Sequence, residues 1–272
     1  MPIKLAASSM LAVGQTPMEQ LRFFRRCGFS GMELRLTLSE GKLPAYLDNL
    51  RAALENTGME ICSVIVPDST WSLRFDDREA MEAKLATLVR NLRIAGPLGA
   101  VSLFCPEYRT QHPLPLWDPP PLMTKHERAL LVELLKRAAD VAEKVDGAIV
   151  IEPLNRYETH LVHRLEDAAE LCTNAGSPRV GILADFYHMN FEEVDIEKSI
   201  LATAPLIRHV QLADSNRLLP GQGHLDFKPG LRALVQAGYD RFVALECRAE
   251  DPLETALPRC ADYLEAELRA CK

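Results

Sequence analysis

Four short apolar runs in the chain each stop on a polar side chain: Glu152 in "IVIEP", Asp185 in "GILADF", Gln211 in "HVQLAD" and Glu246 in "VALEC". An ionisable group set directly after residues that read as buried needs either a partner or a task. Reading back by twos gives Val150 and Ala148, Leu183 and Gly181, His209, and Ala244. That set is mostly small or apolar, suited to the interior of a barrel, so all four polar side chains would meet at one mouth. Three carboxylates crowded there repel one another by several kcal/mol unless a cation lies between them. Three carboxylates and an amide oxygen favour a hard or borderline divalent ion, Mn²⁺ or Mg²⁺ first, with Co²⁺ or Zn²⁺ behind. The alternative is that each carboxylate only marks where a strand emerges into solvent or caps the next helix.

Further polar candidates follow these runs. Glu158 and His160 lie shortly after Glu152, His188 three residues beyond Asp185, and Arg217 six beyond Gln211. His188 and Arg217 could be surface residues or could line the mouth; Glu33 and Arg35 could be an internal ion pair or touch substrate. Trp71 and Trp117 could cover a sugar face or pack their own loops. Glu192 and Glu193 read as the solvated start of a helix.

The elements that must position these groups form one repeated alternation. Strands are expected near Lys4 to Ser8, Gly31 to Leu36, Glu60 to Val66, Ala100 to Cys105, Ala148 to Glu152, Gly181 to Phe186, His209 to Ala213 and Phe242 to Cys247. Stretches with apolar residues at three-and-four spacing lie between and after them, such as "KHERALLVELLKRAADVAEK", and several end in glycine (Gly28, Gly58, Gly96). Eight βα units predict an α/β fold of (β/α)₈ TIM-barrel type, a single domain over residues 1–272. No G-x-G-x-x-G follows a strand, which disfavours an open nucleotide-binding sheet. The proline-rich "CPEYRTQHPLPLWDPPPLMTKH" after the fourth strand reads as a long stiff loop on the face where such barrels carry their sites.

Composition narrows the classes. The formal net charge is −7, with no run of five or more basic residues, so no electrostatic footprint for nucleic acid is present. No run of eighteen apolar residues exists, which argues against a membrane span, and the opening "MPIKLAASSMLAVG" reads as a first strand. Seven widely spaced cysteines without C-x-x-C suit reduced thiols and a cytoplasmic location. Barrels of this kind pair through their outer helices, so a homo-oligomer, dimer or tetramer, is an expectation.

"EPLNRYET", "DFYHMNFEE" and "SNRLLPGQGHLDF", in that order on successive units, resemble the sugar phosphate isomerase/epimerase superfamily with its xylose isomerase-like barrel, and within it the D-tagatose and D-psicose 3-epimerases. The likeness runs from Ile149 to about Arg248; in the N-terminal half only the strand rhythm and "GMELR" carry it. The resemblance implies that Glu152, Asp185 and Glu246 are metal ligands, with the two glutamates on opposite faces of the substrate's C3 as acid and base. It implies that His188 and Arg217 hold the ketose O2 and that Glu158 holds the O1 end. Those epimerases carry a histidine ligand where this chain has Gln211, while hydroxypyruvate isomerase-like members share its "HVQ" ending. A Gln carbonyl oxygen can still ligate.

The chemistry so implied is proton transfer beside a carbonyl, with one glutamate removing a proton and the other returning one to the opposite face. A single base acting at C1 and C2 would instead interconvert aldose and ketose. An inosose or dehydroshikimate dehydratase would use a similar mouth to eliminate water. The DNA-binding endonuclease IV relatives use a His-rich site, which the few mouth histidines and the acidic charge disfavour.

Overall fold

The computed structural model describes residues 3–37, 40–67, 69–72, 75, 77–108 and 122–271, with the side chains of Glu40, Trp71 and Ser72 left out. Parallel strands β1 (Lys4–Ser8), β2 (Gly31–Arg35), β3 (Glu60–Ile65), β4 (Val101–Phe104), β5 (Ala148–Ile151), β6 (Val180–Asp185), β7 (Ile207–Leu212) and β8 (Phe242–Leu245) close in sequence order, β8 pairing back onto β1. Helices α1 (Pro17–Arg26), α2 (Leu43–Thr57), α3 (Arg78–Ala95), α4 (Lys125–Lys144), α5 (Leu165–Ala175), α6 (Phe186–Glu192), α7 (Ile196–Thr203), α8 (Lys228–Gln236) and α9 (Leu253–Ala270) run between and after them. The expected (β/α)₈ TIM barrel is the fold, and each predicted strand is found within about two residues of its predicted bounds.

Two apolar regions do different work. The larger joins the outward faces of the strands to the helices; the smaller fills the barrel, with Ile65, Val101, Leu103, Cys105, Ala148, Val150, Leu154 and Leu183 packed together. Ala148, Val150 and Leu183 are among the inward residues that alternation predicts. The fill at the other end is Ala6, Cys62, Phe242 and Ala244. Gly31 is needed there, because a Cβ would strike the Phe242 ring. All seven cysteines are unpaired, and among the described residues no helix is long and apolar enough to cross a membrane.

Of the expected glycine caps, Gly58 is left-handed at φ 65°, but Gly96 is helical at φ −54°. A short 3₁₀ turn carries the chain on to Gly99, and Gly99 takes the left-handed position at φ 68°. Gly96 serves close approach instead, since a Cβ would run into the carbonyl of Val145.

Phe186 opens α6, and its ring stacks on Phe227 at 5.9 Å between centroids, both fully buried. Gly230 of α8 gives that pair its space: a Cβ would lie 2.5 Å from Phe186 Cε1 and 2.6 Å from Cζ. On an exposed helix Gly→Ala stabilises by about 1 kcal/mol. Here Gly230→Ala is expected to destabilise by about 1–3 kcal/mol through overpacking. A lower urea midpoint for the variant confirms this, and a higher one refutes it.

Candidate active site

Asp185 ends β6 and caps α6, so its two oxygens divide their roles. Oδ1 accepts the backbone N–H of Tyr187 at 2.7 Å, while Oδ2 is buried without a hydrogen-bond partner among the described residues. Glu152 and Glu246 stand one residue beyond β5 and β8. Gln211 pairs in register with Asp185 on one side and Ala244 on the other. The amide Nε2 of Gln211 donates to both oxygens of Glu33 at 3.0 and 2.9 Å, leaving its Oε1 buried and unpartnered.

His188 and Arg217 gather the rest. His188 Nε2 is 3.7 Å from a Glu152 oxygen, 3.7 Å from Asp185 Oδ2 and 3.4 Å from Arg217 Nη1. Arg217 Nη2 donates to Glu246 at 3.2 Å, and Nη1 is 3.8 Å from Glu158. All seven predicted site residues, Glu152, Glu158, Asp185, His188, Gln211, Arg217 and Glu246, thus sit at the C-terminal end of the barrel on β5 to β8 and the loops that follow.

Burial raises the Glu152 carboxyl well above its usual range, and the charges of Glu246 and Asp185 raise it further. Burial also raises Asp185, against the pull of Arg217, and raises Glu246, reinforced by Glu33. Buried carboxylates that destabilise one another's charge, beside two buried oxygens with no donor, fit a cation. Glu152, Asp185 and His188 offer ligand atoms within 4.8 Å of one another. Its hydrogen bonds disfavour histidine as a ligand in that set: Nδ1 accepts the Asn155 backbone N–H at 3.1 Å and also faces the Asn155 side-chain amide at 2.9 Å, shorter than the 3.4 Å from Arg217 Nη1 to Nε2. The two shorter contacts assign Nδ1 as the acceptor and the proton of the neutral ring to Nε2, at the cost of the Arg217 Nη1–H facing that N–H at 3.4 Å. Burial and the nearby Arg217 hold the ring neutral by lowering its pKa well below 6.5. His188 is a donor aimed into the mouth, and the ligand atoms that remain are carboxylate and amide oxygens.

Arg217 reaches its place through a strained backbone, at φ 64°. The strain is held by bonds from Arg217 N to Asp214 O at 2.8 Å and from Arg248 N to Arg217 O at 2.9 Å. The Asp214 carboxylate fixes the loop by accepting from Ser215 N, Gly221 N and Leu225 N. Asp214 and Asn155 both escape a sequence reading; the one hint is that Asp and Asn favour such turns.

Other expectations are corrected. His160 turns out of the mouth, with Nε2 2.8 Å from Glu127 of α4, because the loop after β5 folds back at Asn155. Glu33 does not pair with Arg35; Ser63, His209 and Gln211 occupy its oxygens. Glu192 is not solvated: its side chain is 2% exposed and accepts the Arg156 backbone N–H, Nε and Nη2. Glu193 accepts from Leu165 N and Ser199 Oγ. Trp117 lies outside the described residues, as does the side chain of Trp71.

A family model described as a xylose isomerase-like TIM barrel matches residues 21–267. The chain belongs to that xylose isomerase-like family. A 3-dehydro-D-guloside 4-epimerase of Escherichia coli is 27% identical over 93% of this chain and 95% of its own. A probable ketose 3-epimerase of Synechocystis is 26% identical over 82% of this chain and 75% of its own. The crystal structure of an apo 3-keto-D-glucoside 4-epimerase from E. coli superposes with a TM-score of 0.84 at 26% identity, covering 97% of this chain and 99% of that one. This member of the xylose isomerase-like family is an enzyme of the isomerase/epimerase kind.

The clip between Arg156 and Glu192 ties the loop after β5 to α6 and gives a pH-dependent test. Burial acts to raise the Glu192 pKa, but the bonds from Arg156 outweigh it and leave the carboxyl below its usual range. Its contribution is therefore full above the unfolded value of about 4.3 and lost as pH falls through the lower folded value. Glu192→Gln is expected to cost about 1–3 kcal/mol at pH 7. The gap from wild type should narrow as urea titrations are repeated at falling pH and close once the folded carboxyl is protonated; a gap independent of pH would show that the charge of Glu192 is idle.

Proposed function

We propose that the protein inverts a carbon next to the ketone of a sugar, most simply as a ketose 3-epimerase, with the whole chain working as one catalytic domain. The observation that carries this reading is the mouth itself, where Glu152, Asp185, Glu246 and the donors His188 and Arg217 meet around two buried oxygens that lack partners. Glu152, Asp185, Glu246 and the Gln211 oxygen would hold a divalent ion, Mn²⁺ before Mg²⁺, Co²⁺ or Zn²⁺, since every donor is oxygen. When bound, such an ion draws off the negative charge that a carbonyl oxygen gains as the neighbouring carbon loses its proton.

The chain's own residues do the rest. One glutamate takes the proton from the carbon beside the ketone, and the C–H electron pair becomes the C=C bond of an enediolate. The other glutamate gives its proton to the opposite face of that carbon, the electron pair returns, and the ketone re-forms inverted. After one turnover the two glutamates have exchanged protonation states, and exchange with solvent resets them. His188 Nε2–H and the Arg217 guanidinium donate to the substrate's carbonyl end, and Glu158 accepts from a hydroxyl. Six of the seven cysteines are buried and all are unpaired, which supports a reducing, cytoplasmic setting.

The E. coli relative matched over almost the whole chain favours a second reading, a 4-epimerase acting on a keto-glycoside. The chemistry is the same with the ketone moved from C2 to C3.

Two bases on opposite faces predict that Glu152→Gln and Glu246→Gln each abolish net inversion. Each variant keeps one base, which exchanges the proton of only the epimer that presents it. Incubation of each variant with each epimer in D₂O, read by NMR with metal content measured alongside, should give slow labelling with opposite epimer preferences. Label at C3 of a 2-ketose marks the first reading and label at C4 of a 3-keto-glycoside the second. Label confined to C1 or C2 would replace both with an aldose–ketose isomerase, and loss of water would replace them with a dehydratase.

A further inference from the structure

Beneath the mouth lies a buried polar cluster around Glu33, of which only Gln211 enters the steps above. Glu33 of β2 is fully buried in the barrel, and its Oε2 accepts from Ser63 Oγ at 2.7 Å, faces His209 Nε2 at 3.0 Å, and accepts from Gln211 Nε2 at 2.9 Å. We propose that Glu33 is a positioning residue that fixes the amide of Gln211 with its nitrogen turned inward and its oxygen left free for the divalent cation. This rests on the reading that the mouth holds such an ion.

The orientation of an amide is set by chemistry here. An ionised carboxylate only accepts hydrogen bonds, so a Gln211 turned by 180° would place its oxygen against the oxygens of Glu33. Ser63 and His209 anchor Glu33 from β3 and β7, so Glu33 keeps its place without help from the residue it orients. The consequence is the buried Oε1 with no partner, on a side chain that stands in register beside Asp185, whose Oδ2 is equally without one. A buried amide oxygen left bare is costly unless something meets it. Two such oxygens on side chains in register on adjacent strands suit a hard cation. Partners that orient a ligand in this way typically matter 10–100-fold to metal affinity.

The test is a double-mutant cycle on the metal-free full chain, titrated with Mn²⁺ and followed by the electron paramagnetic resonance signal of free Mn²⁺. Gln211→Leu removes the ligand and is expected to weaken binding about tenfold. Glu33→Gln can offer an N–H to Gln211 Oε1, lets the amide turn, and is expected to weaken binding by a similar factor. The decisive result is the double variant, which should bind no more weakly than Gln211→Leu alone. A Glu33 that acted only through its negative charge, or only as packing, would still weaken binding in the Gln211→Leu background. Losses that multiply therefore overturn the proposal, as does wild-type affinity in Glu33→Gln or in Gln211→Leu. If Glu33→Gln fails to fold, judged by circular dichroism, Ser63→Ala replaces it. That change loosens the anchor of Glu33, and it should produce a smaller loss that again vanishes when Gln211 is Leu. A wild-type protein that binds no Mn²⁺ at all would overturn the cation reading itself, an outcome visible before any variant is made.

Discussion

Negative charge held out of water at the barrel mouth is the constraint to which the surrounding structure answers. Glu33, Glu152, Glu158, Asp185 and Glu246 share the upper barrel with the guanidinium of Arg217, which pairs with Glu246 and lies 3.8 Å from Glu158. The apolar fill of Val101, Leu103, Val150 and Leu183 closes the barrel from below, so the chain must supply each counter-donor itself. Glu33 receives donors from Ser63, His209 and Gln211, and one oxygen of Asp185 receives the first turn of α6. Glu246 receives Arg217. Asp185 Oδ2 and Gln211 Oε1 are left without a donor among the described residues, and on the reading proposed above a cation and a polar substrate would fill that deficit.

Arg217 shows how far the backbone bends to this constraint. A non-glycine residue at φ 64° costs of order 1 kcal/mol or more and persists only where its surroundings enforce it. Asp214 provides the enforcement by gathering three backbone N–H groups of the same loop. Tyr187 adds a second hold, its ring lying 4.3 Å from the guanidinium carbon. Asn155 does the same for His188, fixing by two donors which ring nitrogen carries the proton.

These supports divide what the sequence makes legible from what it hides. The strands and the inward parity of Glu152, Asp185, Gln211 and Glu246 depend on neighbours one or two residues away, and alternation reports them directly. The bond between Gln211 and Glu33 joins positions 178 residues apart, and no local pattern carries it. His160 fails as a mouth residue for a related reason: loop direction is set by Asn155, whose side chain accepts the N–H of Tyr157, and a loop has no period to extrapolate. Glu192 looked solvated because it follows an aromatic stretch in a polar pair; its burial comes from Arg156, on a different unit. Gly96 was legible as a glycine that mattered, but its reason was contact with Val145 and not a left-handed turn.

The same division separates chemistry from substrate choice. On the proposed mechanism, strand ends and their buried partners would fix where a carbonyl and the C–H beside it lie, and that requirement does not change if the ketone moves along the sugar by one carbon. Inversion at C3 of a 2-ketose and at C4 of a 3-keto sugar ask the same of Glu152, Glu246 and the donors between them. The choice then falls to whatever seats the remainder of the sugar. Tyr157 and Phe191 pack edge to face at 6.0 Å, both partly exposed, with Tyr187 5.2 Å from Phe191 and against Arg217, which makes them candidates for that role. Aromatic faces accept the apolar side of a sugar ring without specifying its hydroxyls. On the proposed reading, a mouth fixed by strands and a rim built from loops would let the point of inversion shift without any change in the groups at the mouth.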